Sequence, residues 1–110
     1  MANQILVQAV VPTMKQEGFG RIINIISTSV KIPLNNLGVS NTTRGAVASW
    51  AKTMANELGG FGITVNNVLP GFTSTARLES LANTLASNKG ISVEEQSAAM
   101  AAEVPAKRFG

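Results

Sequence analysis

Gly60-Phe61-Gly62-Ile63-Thr64-Val65-Asn66-Asn67-Val68-Leu69-Pro70-Gly71 is the stretch on which the fold turns. Glycines close whatever precedes it, a β-branched run fills its middle, and an imino acid followed by glycine ends it. This pattern predicts a buried strand over about 63 to 69, entered from a helix and left by a turn. The same signature stands earlier in the chain. Gly18-Phe19-Gly20-Arg21-Ile22-Ile23-Asn24 repeats Gly-Phe-Gly with Asn at the same offset, and predicts a strand over about 21 to 26. Both strands read as continuously apolar with little alternation, which suits a parallel sheet covered on both faces.

Helical spacing fills the intervals. Ile5, Leu6, Ala9, Val10 and Met14 mark a helix over about 2 to 17, although Pro12 lies inside it and the run Ile5 to Val11 also fits a strand. A second helix, about 41 to 58, carries Val47, Trp50, Ala51, Met54 and Leu58 on one stripe, with Gly45, Ala48 and Ala55 leaving much of the rest small. Asn41-Thr42-Thr43 reads as its polar start. Beyond Pro70, Leu78, Leu81 and Leu85 predict a helix ending near Gly90, and Ser92-Val93-Glu94-Glu95 reads as a capping box opening a last helix to about Glu103.

The fold class is therefore α/β: helix, strand, helix, strand, then helices. A right-handed crossover sets the two strands parallel and brings their carboxyl ends, Ser27 and Pro70-Gly71, to one sheet edge, where open α/β folds bind ligands. Two parallel strands do not make a free-standing sheet, because both are edges and the core is too small to offset chain entropy. We expect the chain to be part of a larger domain.

Composition narrows the chemistry. The 110 residues include no Cys, His or Tyr, which excludes thiolate nucleophiles, disulfides, zinc fingers and imidazole bases; no metal site is expected. Apolar residues make up 45% and charged residues 14%, the balance of a folded chain. The net charge is +3, and the basic residues are scattered without aromatic interleaving, so no nucleic-acid partner is expected. No apolar run approaches the roughly 20 residues of a bilayer span, and Met1-Ala2-Asn3-Gln4 lacks a basic leader, so a cytoplasmic protein with no membrane partner is expected.

Four segments in order carry a resemblance. Arg21 to Ser27, Arg44-Gly45-Ala46-Val47, Gly62 to Phe72 and Val104-Pro105-Ala106-Lys107-Arg108-Phe109-Gly110 together resemble the short-chain dehydrogenase/reductase family, nearly end to end. The resemblance implies a Rossmann-type, doubly wound parallel sheet that binds NAD or NADP. Residues 1–110 would be the C-terminal part of that domain, with 72–104 a helical substrate-side excursion. It also implies that the glycine-rich phosphate loop, the residue choosing between NAD and NADP, and a catalytic Asn lie upstream of Met1. Gly59-Gly60-Phe61-Gly62 does not replace that loop, since it runs from helix into strand, the reverse of the order that points amides at a phosphate.

The family's chemistry is hydride transfer between nicotinamide and a small carbonyl or alcohol substrate. A Ser orients the substrate oxygen, a Tyr exchanges the proton, and a Lys holds the nicotinamide ribose. Ser27 matches the Ser, whereas the Tyr position is filled by Ser40 and the Lys position by Arg44. A serine hydroxyl is far less acidic than a phenol; a guanidinium donates to ribose hydroxyls but does not titrate near neutral pH. Pro70 to Thr75 matches the segment that lies against nicotinamide and pyrophosphate. Gly71 would allow close approach, the Thr73 amide would meet the carboxamide, and the Thr75 hydroxyl a phosphate; the family usually has an apolar residue at position 73.

Thr28 and Ser29 are alternatives to Ser27 in the orienting role. Lys31 is the one amine close to Ser27 in sequence, and Asn66 matches a position that pairs backbone beside the sheet. The resemblance also implies a homo-oligomer built on helix 41–58 and the one before it. Two readings follow: an oxidoreductase with a non-standard proton donor, or a non-catalytic cofactor sensor or scaffold.

Overall fold

The computed structural model describes residues 1–110, which divide into two compact units, Met1–Pro70 and Gly71–Gly110. The first unit holds α1 (Ala2–Glu17), β1 (Gly20–Ile25), α2 (Gly38–Leu58) and β2 (Ile63–Val68). Short 3-10 turns, Thr28–Val30 and Gly59–Phe61, follow β1 and α2. The strands pair in parallel with Gly20 opposite Ile63 and Ile25 opposite Val68, as the βαβ reading requires.

The two Gly-Phe-Gly repeats meet in space. Gly18 ends α1 in the left-handed region (φ 64°), and Gly62 ends the second 3-10 turn there (φ 77°). Left-handed backbone suits glycine because no Cβ collides with the following carbonyl. A methyl group on Gly62 would overlap the Gly18 carbonyl, and the Gly20 amide donates to the Gly62 carbonyl at 3.3 Å. The repeated motif is thus a shared corner from which both strands start side by side.

Both helices cover one face of the sheet. Ala51 and Leu58 of α2 bury Ile63 and Val65, with Val11 and Met14 of α1 packed against the same cluster. The indole Nε1 of Trp50 donates to Oε1 of Gln4 at 2.6 Å, joining the helices. The stripe expected for α2 is the one found. That expected for α1 is corrected: Val7 is the buried residue, with Val11 and Met14 half-buried, while Ile5, Leu6 and Val10 are exposed. Helix α1 is apolar on two sides, and the sheet takes the side carrying Val7. The helix runs through the exposed Pro12 without ending.

The opposite face of the sheet is bare. Ile23 is 63% exposed, Ile25 64% and Val68 47%, so only one of the two expected covering layers lies within this unit. Helix α2 also starts earlier than its polar triplet suggests, at Gly38, and the Thr42 and Thr43 hydroxyls donate back to the Gly38 and Val39 carbonyls. Ser40 and Arg44 consequently lie inside the helix, one turn apart on a common side.

The second unit contains α3 (Ala76–Lys89) and α4 (Val93–Glu103). Leu78, Ala82 and Met100 form its core with Leu81, Leu85, Phe72 and Phe109. The Thr75 hydroxyl caps α3 by accepting from the Leu78 amide at 3.3 Å, and Ser92 caps α4 by accepting from Glu95 at 3.1 Å. Gly110 is paired on both sides of its peptide: its amide donates to Phe72 at 3.0 Å and its carbonyl accepts from Ser74 at 2.8 Å. No helix in the chain is long and apolar enough to cross a membrane.

Candidate active site

The site in the first unit is built where β1 and β2 end. Ladder bonding continues past the strands: the Ile26 amide donates to Val68 at 2.9 Å, and the Thr28 amide to Pro70 at 3.1 Å. The two carboxyl ends therefore lie together, as the topology predicts. Ser27 has extended backbone (φ −173°), and its Oγ accepts from the Ser29 amide at 3.1 Å. With that lone pair engaged, the half-buried Ser27 hydroxyl keeps its proton available for donation. Ser29 is buried at 4% exposure and Thr28 is exposed, so Ser27 alone combines partial burial with a fixed hydroxyl.

Arg44 does more than decorate its helix. Its Nη1 donates to the Ile26 carbonyl, one residue before Ser27, and its Nε donates to Ser40 Oγ at 3.3 Å. Ser40, Arg44 and the end of β1 are thereby joined through one guanidinium. A cavity of about 380 Å³ opens there, walled by Ile25, Ile26 and Val47 and carrying the polar groups of Asn3, Ser40, Thr43 and Arg44. Hydroxyls and a fixed cation beside an apolar wall suit a flat, hydroxylated ligand.

Other sequence candidates fall elsewhere. Lys31 is exposed and lines a different cavity of about 520 Å³ along β2, with Lys52 and Asn66. The Asn66 side chain is exposed; the paired residue is its neighbour Asn67, whose Oδ1 accepts from Asn24 Nδ2 at 3.1 Å. Asn24 is buried and also accepts from Asn3 Nδ2 at 3.0 Å. Sequence reasoning missed this chain of amides and the Arg44–Ile26 contact. The one available signal was asparagine inside each strand, Asn24 in β1 and Asn66-Asn67 in β2.

Pro70 closes the first unit, and Gly71, Thr73 and Thr75 belong to the second. Gly71 and Thr73 are exposed there, while the exposed Thr75 already serves α3 as its cap. Edge-to-face packing of Phe72 on Phe109, with centroids 6.2 Å apart, braces the segment.

A family model described as short chain dehydrogenase matches residues 2–86. The chain belongs to this family. Among its short-chain dehydrogenase relatives, it is 40% identical over 78 residues to the short-chain reductase protein NovJ of Streptomyces niveus, an alignment covering 69% of this chain and 29% of NovJ. A structure of L-sorbose reductase from Gluconobacter frateurii, complexed with NADPH and L-sorbose, matches with TM-score 0.82 and 32% identity, over all of this chain and 42% of that one. An NAD+-bound xylitol dehydrogenase matches with TM-score 0.84 and 25% identity, over 94% of this chain and 42% of that one. The chain thus spans less than half the length of these relatives.

Proposed function

We propose that this chain is the C-terminal part of an NAD(P)-dependent short-chain oxidoreductase acting on a small carbonyl or alcohol, with a proton donor other than tyrosine. The observation that carries the proposal is the joining of Ser27, Arg44 and Pro70 at one sheet edge through the Thr28–Pro70 and Arg44–Ile26 hydrogen bonds. The NADPH and NAD+ complexes of the sorbose and xylitol enzymes support either nicotinamide cofactor.

The residues present fit such a group. Arg44 has N–H donors left after Ile26 and Ser40 are served, which suits ribose hydroxyls. Pro70 would border the nicotinamide; the family resemblance also assigns Gly71 and the Thr73 amide to the nicotinamide and Thr75 to a phosphate. When bound, the cofactor supplies or accepts the hydride. Ser27 would hold the substrate oxygen by donating its free proton. Ser40 orients toward Arg44 but is too weak an acid to exchange the proton itself, so that proton comes from solvent or from outside these residues. Residues 72–104 would contribute to the substrate side.

The exposed apolar row Ile5, Leu6 and Val10 on α1 supports pairing between copies of the complete protein. A second reading, a cofactor sensor or scaffold, is favoured by one observation: the Ser40 hydroxyl is held by Arg44 Nε, and a serine hydroxyl is too weak an acid to exchange the proton. Calorimetry and turnover on the complete protein separate the readings. Cofactor binding with turnover of a carbonyl panel supports the oxidoreductase, binding without turnover supports the sensor, and absence of binding overturns both.

A further inference from the structure

We infer that Asn24 and Asn67 form a register pin that sets Ser27 against Pro70, making them positioning residues for the site at the end of the sheet. They occupy matched positions in the ladder, and their side chains share a 3.1 Å hydrogen bond. Asn24, 8% exposed, also accepts from Asn3 on α1, so a helix and two strands meet at one amide.

The glycine corner fixes the register where the strands begin, but hydrophobic burial alone leaves it loosely set toward their carboxyl ends. Ile22 and Ile26 flank Asn24 on the inner face of β1, and Ile63 and Val65 precede Asn67 on that of β2. A slide of two residues keeps every side chain on its own face and, in one direction, still sets Ile22 against a branched apolar group, Ile63. It does not spare the amides: Asn24 would then lie opposite Val65 or Leu69, and its Nδ2 would lose its cross-strand acceptor. Only the observed register pairs both asparagines. Three residues further on, that register places Ser27 opposite Pro70 and permits the Thr28–Pro70 bond.

The functional meaning of the pin rests on the oxidoreductase reading above; register itself can be measured without cofactor or substrate, so the two can fail separately. The experiment is site-resolved amide hydrogen exchange on Asn67→Asp, Asn67→Leu and the Asn24→Leu/Asn67→Leu double variant, comparing Thr28 with Ile22 at the centre of the ladder. Asn67→Asp keeps an acceptor for Asn24 and should retain the wild-type ratio of protection. The leucine variants should lower Thr28 protection about tenfold or more relative to Ile22, even where the double variant recovers thermal stability by removing both buried amides. Thr28 protection that falls only in proportion to Ile22 in the leucine variants would overturn the inference. So would an Asn67→Asp ratio as low as that of Asn67→Leu. A purely structural role predicts proportional losses.

Discussion

The Thr28 amide donates to the Pro70 carbonyl at 3.1 Å, which binds the chain leaving β1 to the chain leaving β2. Residues more than forty apart in sequence thereby share one rim. Everything proposed for the site depends on how the side chains around that rim, Ser27, Ser40 and Arg44, divide their hydrogen bonds.

Ser40 opens onto the cavity beside Arg44, so a phenol introduced there has space and a neighbouring cation. In the complete protein, Ser40→Tyr should raise the rate of carbonyl reduction about 10²- to 10⁴-fold, the usual contribution of a positioned general acid. Ser40→Ala should change the rate by less than about threefold, because a serine hydroxyl is a poor acid. Steady-state kinetics on the two variants checks both expectations.

Arg44 is the charged link between α2 and the end of β1. Removing it with Arg44→Met should weaken NAD(P) binding about tenfold or more, the scale of one charge-assisted hydrogen bond. Arg44→Lys keeps the cation but loses the guanidinium fork that serves Ile26 and Ser40 together, so its affinity should fall between those of the parent and Arg44→Met. Isothermal calorimetry on the complete protein measures the difference.

The glycine corner gives a contrast in stability. Gly18 has open space around its missing side chain, so Gly18→Ala carries only the left-handed backbone cost, about 1 kcal/mol. Gly62→Ala adds a collision with the Gly18 carbonyl and should cost about 2–3 kcal/mol. Denaturant titration of the two variants should rank them in that order.

The bare sheet face predicts how residues 1–110 behave alone. Ile23 and Ile25 should drive self-association and dye binding, and Ile23→Thr with Ile25→Thr should reduce both in light scattering and fluorescence. The same pair of changes should destabilise the complete protein by about 1–2 kcal/mol per site, since there the face would be covered.

Local signals made much of the fold legible. The α2 stripe, the paired glycine stops and the Ser92 cap are short-range patterns, and each reports its element directly. The buried side of α1 was not legible. Ile5, Leu6 and Val10 are as apolar as Val7, Val11 and Met14, and only the position of the sheet chooses between them. Little alternation along the strands predicts covering of both faces, yet this unit supplies only one of those layers. At the site, strand ends located Ser27 and Pro70. The grip of Arg44 on Ile26 joins residues eighteen apart through a side chain on a neighbouring element, and no periodicity encodes it. The asparagine pair gave a faint hint as polar interruptions in apolar runs, but their partnership depends on strand alignment.

A guanidinium already holding the Ile26 carbonyl meets any newcomer as a shared possession. A ligand recruiting Arg44 must either accept its leftover donors or pull it from β1, leaving that peptide oxygen thirsty. Occupancy and a taut strand terminus stand in opposition only along the second route, so changes that slacken the terminus should lengthen the stay of a ligand that displaces the guanidinium and leave one using the spare donors unaffected.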